Sequence, residues 1–192
     1  MLPKRQGKRS ASYHHGNLRY ALIHAAQTIL ERKGLAALSL RGVARAARVS
    51  PAAPYHHFAD KQALLDAVAA QGFDALRAAM DKRVAKATNP DERLDGCGVG
   101  YVVFALENPE LFRLMFGGGE QHTTVKEARD RAYGVLQTVV AEASPDGAAN
   151  PFLCLRLWAL VHGIAKLILE AGVKPADYGL TGSEALTAQL LR

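Results

Sequence analysis

Apolar residues in this chain recur at helical spacing in one segment after another, and no segment alternates apolar and polar residues as a half-buried strand must. From Asn17 to Lys33, Leu18, Leu22, Ala25 and Ile29 fall at steps of four, three and four, the stripe of an amphipathic helix. Arg32 and Lys33 suit its C-terminal end, and Gly34 can leave the helix with a positive φ. Ser39 predicts a cap for a short helix to about Ala47. Ser50 and Pro51 predict the cap and first position of a second short helix to about His57, and Asp60 caps a fourth. Asn89-Pro90-Asp91, Gly117-Gly118-Gly119 and Ser144-Pro145-Asp146-Gly147 are breaks, leaving helices at about 91–107, 109–116 and 123–143. Asn150-Pro151 then opens a long helix to about Glu170, closed by Gly172 and Pro175, and a last helix runs from Ser183 to Leu191. The expected fold class is all-α.

The long helix after Asn150 carries Phe152, Leu153, Leu155, Leu157, Trp158, Leu160, Val161, Ile164, Leu167 and Ile168 on nearly every side. Such a helix must be covered all round, by core or by a second subunit. A homodimer through the last two helices, about 150–171 and 183–191, is therefore expected. Its most apolar run, Leu157 to Leu169, is interrupted by His162 and Lys166 and is shorter than a bilayer requires. The basic amino end is followed by no apolar h-region. These features predict a cytoplasmic protein without a membrane partner. Cys97 and Cys154, the only cysteines, lie in apolar stretches and read as reduced core thiols.

Charge divides the chain in two. Residues 1–59 hold ten Lys or Arg and one acid, Glu31, a net +9; the remaining residues hold 14 bases and 17 acids, a net −3. A small basic module joined to a larger, near-neutral one is expected, with a polyanion as partner of the first. Boundaries fall at a basic tail over 1–13, a head over 14–60 and a helical regulatory and dimerisation domain over 61–192. Lys4, Arg5, Lys8 and Arg9 of the tail could reach a minor groove or neighbouring phosphates, or be merely solvated.

Within the basic head, the two short helices are separated only by Arg48 and Val49 and flanked by longer ones. This is helix-turn-helix spacing, in which the second helix enters the major groove of duplex DNA. Leu38, Val43, Val49 and Phe58 can lock the short helices together. Ser50, Ala52, Ala53, Tyr55 and His56 leave a face of small and hydrogen-bonding side chains that a base edge can approach. Tyr55, His57 and Lys61 are placed to hold phosphates, which sets register rather than sequence preference.

The stretch from Leu38 to Leu65, ending Tyr55-x-x-Phe58-x-x-Lys61-x-x-Leu64-Leu65, resembles the helix-turn-helix of TetR-family transcriptional regulators. Phe104 to Phe116 and Trp158-Ala-Leu-Val-His162-Gly163 resemble one subgroup of the family's C-terminal domains, marked by a Trp-His-Gly region. The resemblance implies a dimeric, ligand-responsive regulator, a repressor, on a pseudo-palindromic operator. By position it implies that Ser50 caps the recognition helix and meets phosphate. Pro51, Ala52, Ala53 and His56 would face bases, Tyr55 and Lys61 would clamp the backbone, and Arg41 would reach a base or phosphate. Two departures bear on this: Arg48 stands where the turn usually has Gly, and Pro54 removes an amide and biases Ala53 away from the α region, so a late or distorted recognition helix is expected. A DNA binder without sequence preference, or a ligand-binding module with an impaired helix-turn-helix, remain the alternatives.

A small-molecule effector would sit in the larger domain, where Tyr101, Phe104, Phe112, Met115, Phe116, Trp158 and His162 are the candidate lining. No cluster of fixed charge points to an ionic ligand, so an apolar or aromatic one is the default. His14-His15 and His56-His57 are adjacent pairs, which diverge on a helix and cannot share a metal. No cofactor, metal or enzymatic constellation is expected.

Overall fold

The computed structural model describes residues 15–117 and 122–191. The expected basic tail, and Gly118 and Gly119 of the glycine break, lie outside the described residues. Among the described residues the chain forms eight α-helices and no strand.

Helix α1, His15–Lys33, buries Leu22, Ala26 and Leu30 and ends where Gly34 takes φ 74°. A short 3-10 turn, Leu35–Ala37, leads to α2, Leu40–Ala46, whose Ser39 cap accepts from the Gly42 amide at 3.1 Å. The exit from α2 is decided at Arg48, the one non-glycine with positive φ (57°) among the described residues. Its amide donates to the Arg45 carbonyl at 3.2 Å and the Val49 amide to the Ala44 carbonyl at 3.0 Å. That pair of bonds is the Schellman ending, which usually places glycine at this position; an L side chain there costs about 1–2 kcal/mol.

Next comes a 3-10 turn, Ala53–His56, and then α3, Lys61–Val84, capped by Asp60 accepting from the Ala63 amide at 2.8 Å. The remaining helices are α4 (Pro90–Glu107), α5 (Pro109–Phe116), α6 (Thr123–Ala143), α7 (Pro151–Glu170) and α8 (Ser183–Leu191). Asn150 caps α7 as its Asn-Pro pair predicts, and Asn89, expected only as part of a break, caps α4. A 3-10 turn at Pro175–Tyr178, between α7 and α8, has no counterpart in the sequence reading.

One continuous core joins the head to the larger domain, and α3 is its spine. Near its start Leu64, Leu65 and Val68 close the head; farther along, Phe73, Leu76 and Met80 pack on α4 and α6. Gly100 allows α3 and α4 to touch, since a Cβ there would stand 2.9 Å from the Met80 Cα and 3.1 Å from the Ala79 carbonyl oxygen. Around the rim, exposed ion pairs join Asp74 of α3 to Arg131 of α6 (2.9 Å), Arg93 of α4 to Glu142 of α6 (2.7 Å), and Arg83 of α3 to Glu184 of α8. Such pairs each contribute about 0–1 kcal/mol, so burial decides the architecture.

Helix α7 is covered on one side only. Cys154, Val161, Ile164 and Ala165 are buried, while Phe152 is 78% exposed, Leu155 53% and Leu167 52%. The helix is also longer than the apolar run read from sequence: at 20 residues it is long and apolar enough to cross a bilayer. Its buried side is seated against α4 and α6.

Candidate nucleic-acid interface and apolar cavity

The head presents its expected reading residues largely to solvent. Arg41, Ser50, Pro51, Ala52, His56 and Lys61 are exposed, Tyr55 is 53% exposed, and Ala53 and His57 are half-buried. Their support is apolar: Leu38, Val43 and Phe58 are buried and Val49 packs against them. The α-helix expected over 50–57 is replaced by tighter turns. The Ala53 amide donates to the Ser50 carbonyl (3.0 Å), Tyr55 to Ala52 (3.1 Å) and His57 to Pro54 (3.0 Å). Ser50 therefore contributes its main-chain carbonyl rather than a side-chain cap, and Ala52 is the cap of the 3-10 turn. The physical reason is Pro54, which is buried and has no amide to donate to a wider α turn.

Lys61 lies at the start of α3, with its Nζ donating to the Leu35 carbonyl at 3.4 Å. Arg19, which sequence reading passed over, holds its guanidinium 5.4 Å from the Phe58 ring centre and so joins the same surface from α1. Glu31, the lone acid of the basic module, bridges to the other domain: its Oε1 accepts the Leu111 amide of α5 at 2.7 Å. Leu111 is the third residue of α5, and Asn108 supplies no side-chain cap to it. The N-terminus of α5 is thus capped by a residue 80 positions earlier.

In the larger domain, a cavity of about 400 Å³ opens among the helices. Phe73, Leu76 and Met80 line it from α3, and Leu94, Cys97, Gly98 and Tyr101 from α4. Phe116 enters from α5, Arg129, Asp130, Ala132, Tyr133 and Leu136 from α6, and Leu157, Trp158 and Val161 from α7. Leu191 closes it from α8. Of the candidates named from sequence, Tyr101, Phe116 and Trp158 are in this wall. Phe112 and Met115 are fully buried behind it, Met115 lying against Gly72, and Phe104 faces a separate groove with Ala79 and Arg83. Phe73, Met80, Cys97 and Tyr133 are not among the lining candidates read from sequence, because only the crossing of six helices distinguishes them from other core residues.

His162 stands just behind the wall, with its Nδ1 2.8 Å from the Tyr101 hydroxyl. Trp158 Nε1 points at the same hydroxyl from 3.4 Å. Phe116 and Phe112 pack on the imidazole at 4.8 Å and 5.4 Å between ring centres. Burial, assisted by the Lys166 ammonium, holds His162 below the ordinary imidazole range, so the ring is neutral. With the proton of the neutral ring on Nδ1, the imidazole donates to the phenol oxygen, which also faces the Trp158 N–H, and the Tyr101 O–H is left to donate elsewhere. Burial also raises the Tyr101 phenol and pushes the Cys97 thiol up to about 12, so neither ionises at neutral pH. Among the described residues no group of three or more His, Cys, Asp or Glu is placed to hold a metal.

Residues 22–68 match the family described as bacterial regulatory proteins of the tetR family. Residues 94–190, half of the chain, match the domain described as tetracyclin repressor-like, C-terminal. The chain belongs to the TetR family. A TetR-family protein is a DNA-binding transcription regulator and not an enzyme, and the two matches fall on the head and on the cavity domain.

Solved structures agree. A protein of unknown function from Rhodococcus sp. RHA1 is 35% identical, with a TM-score of 0.76, over 95% of this chain and 98% of its own. A TetR-family transcription regulator from Marinobacter aquaeolei VT8 shares the fold at 21% identity and a TM-score of 0.63, over 90% of this chain and 94% of its own. So does AibR, solved in complex with isovaleryl coenzyme A and operator DNA, at 21% identity and a TM-score of 0.63, over 91% and 96%. Among proteins of curated function none matches the chain.

Proposed function

We propose that this TetR-family chain is a ligand-responsive repressor that binds a pseudo-palindromic operator as a homodimer. The observation that carries this reading is that one helix, α3, begins beside the DNA-facing turn and then forms a wall of the apolar cavity through Phe73, Leu76 and Met80. A ligand that shifts that wall acts on the element that positions the head, so its binding and DNA affinity are linked. AibR, a neighbour in fold, has been solved holding both a small molecule and its operator, which supports the pairing of the two sites.

Pairing is assigned to the uncovered side of α7 together with α8, where Phe152, Leu155, Leu167 and Leu190 are exposed. Two-fold pairing there would present two heads to half-sites about one helical turn or somewhat more apart. In each head, Tyr55, His57 and Lys61 hold phosphates and Arg41, Ser50, Pro51, Ala52, Ala53 and His56 approach base edges and the adjoining backbone. A gel-shift titration at stated salt, with the duplex flanking the coding region and a random duplex, tests the reading. Preference for the flanking duplex by at least about a thousandfold is expected. Equal affinities would refute it in favour of a binder without sequence preference, and no binding to either would leave an impaired head.

A further inference from the structure

The wall of the cavity specifies more than apolarity. Its two ionic side chains, the half-buried Arg129 and the exposed Asp130, are neighbours of opposite sign 3.5 Å apart, so they add no net charge. Its polar landmark is the Tyr101–Trp158 pair, backed by His162. That trio holds three donors, the indole N–H, the phenol O–H and the single N–H of a neutral imidazole. Only the phenol oxygen and one imidazole nitrogen are there to accept, and the indole bond is long at 3.4 Å. Donor capacity is therefore in surplus next to an apolar space, and a ligand acceptor would take it up. A carboxylate would be stripped of water without a cation committed to it, and an ammonium would find no unpaired acid.

We infer that the cavity binds an uncharged, largely apolar molecule carrying one carbonyl-type acceptor, and that the Tyr101–Trp158 pair recognises that acceptor. This rests on the reading of the chain as ligand-responsive and names the chemistry of its ligand. Trp158 is the chain's only tryptophan, so its fluorescence reports this wall directly.

The test titrates the full chain with three probes on one ten-carbon skeleton, benzylacetone, butylbenzene and phenylbutyrate, following Trp158 emission. Benzylacetone should give a saturable change and bind about three- to tenfold more tightly than butylbenzene, the effect of one neutral hydrogen bond. Phenylbutyrate should bind at least about tenfold more weakly than benzylacetone, because its charge must be desolvated. Tyr101→Phe should bring benzylacetone down to the affinity of butylbenzene and leave butylbenzene unchanged. Equal binding of ketone and hydrocarbon, preference for the carboxylate, or no saturable change with any probe overturns the inference; these comparisons use the unaltered chain and stand whether or not the variant folds. A parallel gel shift separates the two readings. Benzylacetone that binds with the expected preference yet leaves the DNA complex intact sustains the ligand chemistry and counts against the regulatory link.

Discussion

Removing the Glu31 carboxylate should loosen the joint between the two halves of the molecule by an amount the structure sets. The acceptor serves the Leu111 amide, one of the first-turn donors of α5 that the helix itself cannot satisfy. Hydrogen bonds to a charged group contribute about 1.5–3 kcal/mol, a figure that includes the attraction of an anion to a helix N-terminus, about 0.3–1 kcal/mol. Glu31 is half-buried, which favours the middle of that range. Glu31→Ala should therefore cost about 2 kcal/mol, or roughly 4–8 °C in Tm for a chain of this size. Glu31→Gln keeps an acceptor oxygen and loses only the charge, so it should cost about 0.5–1 kcal/mol. Urea unfolding of both variants, at pH 7 and one fixed protein concentration because self-association would shift the midpoint, measures the difference. The reasoning fails if Glu31→Ala is within about 0.5 kcal/mol of the parent, or if the glutamine is as damaging as the alanine.

Three further outcomes are expected. Gly100→Ala drives a methyl against the Met80 and Ala79 backbone and should cost about 1–3 kcal/mol in thermal or chemical unfolding, whereas Gly134→Ala, whose Cβ would meet nothing within 4 Å, should stabilise α6 by about 0.5–1 kcal/mol. Because His162 is held below its ordinary value of 6.5, the folded chain binds fewer protons than the unfolded one near and below that pH; its stabilisation is complete above about 6.5 and lost as pH falls. Midpoints measured from pH 7.5 to 5 should decline, with a shallower slope in His162→Phe. Lys61→Ala should weaken binding to every duplex alike and lower the salt slope by about one, and Tyr55→Phe should also weaken it uniformly; a change of base preference instead would reverse the division into clamps and readers.

What could be read from sequence was local. Ser39, Asp60 and Asn150 each announce a helix start, because the capping oxygen serves an amide two or three residues ahead. Arg48 and Pro54 were visible as departures from the family pattern for the same reason, and the structure bears out both a strained turn and a distorted reading segment. What could not be read depends on distant pairing. Nothing near Glu31 marks it as the cap of a helix 80 residues later. Phe112 and Phe116 lie one helical turn apart in α5, yet only Phe116 reaches the cavity, since a pocket wall is set by where helices cross. The apolar circumference of α7 was legible, but which side the fold covers was not.

The position of Cys97 has a kinetic consequence. It is buried in the wall between α3 and α4 with its Sγ 3.8 Å from the Met80 sulfur, and burial pushes its thiol up to about 12. Thiolate, the form that attacks disulfides and electrophiles, is almost absent there at neutral pH. Modification in the closed form is then slow, and openings that bring the thiol to water should dominate its rate. Cys97 is thus a built-in clock for breathing of the cavity, and any molecule that fills the space should slow it in proportion to its occupancy.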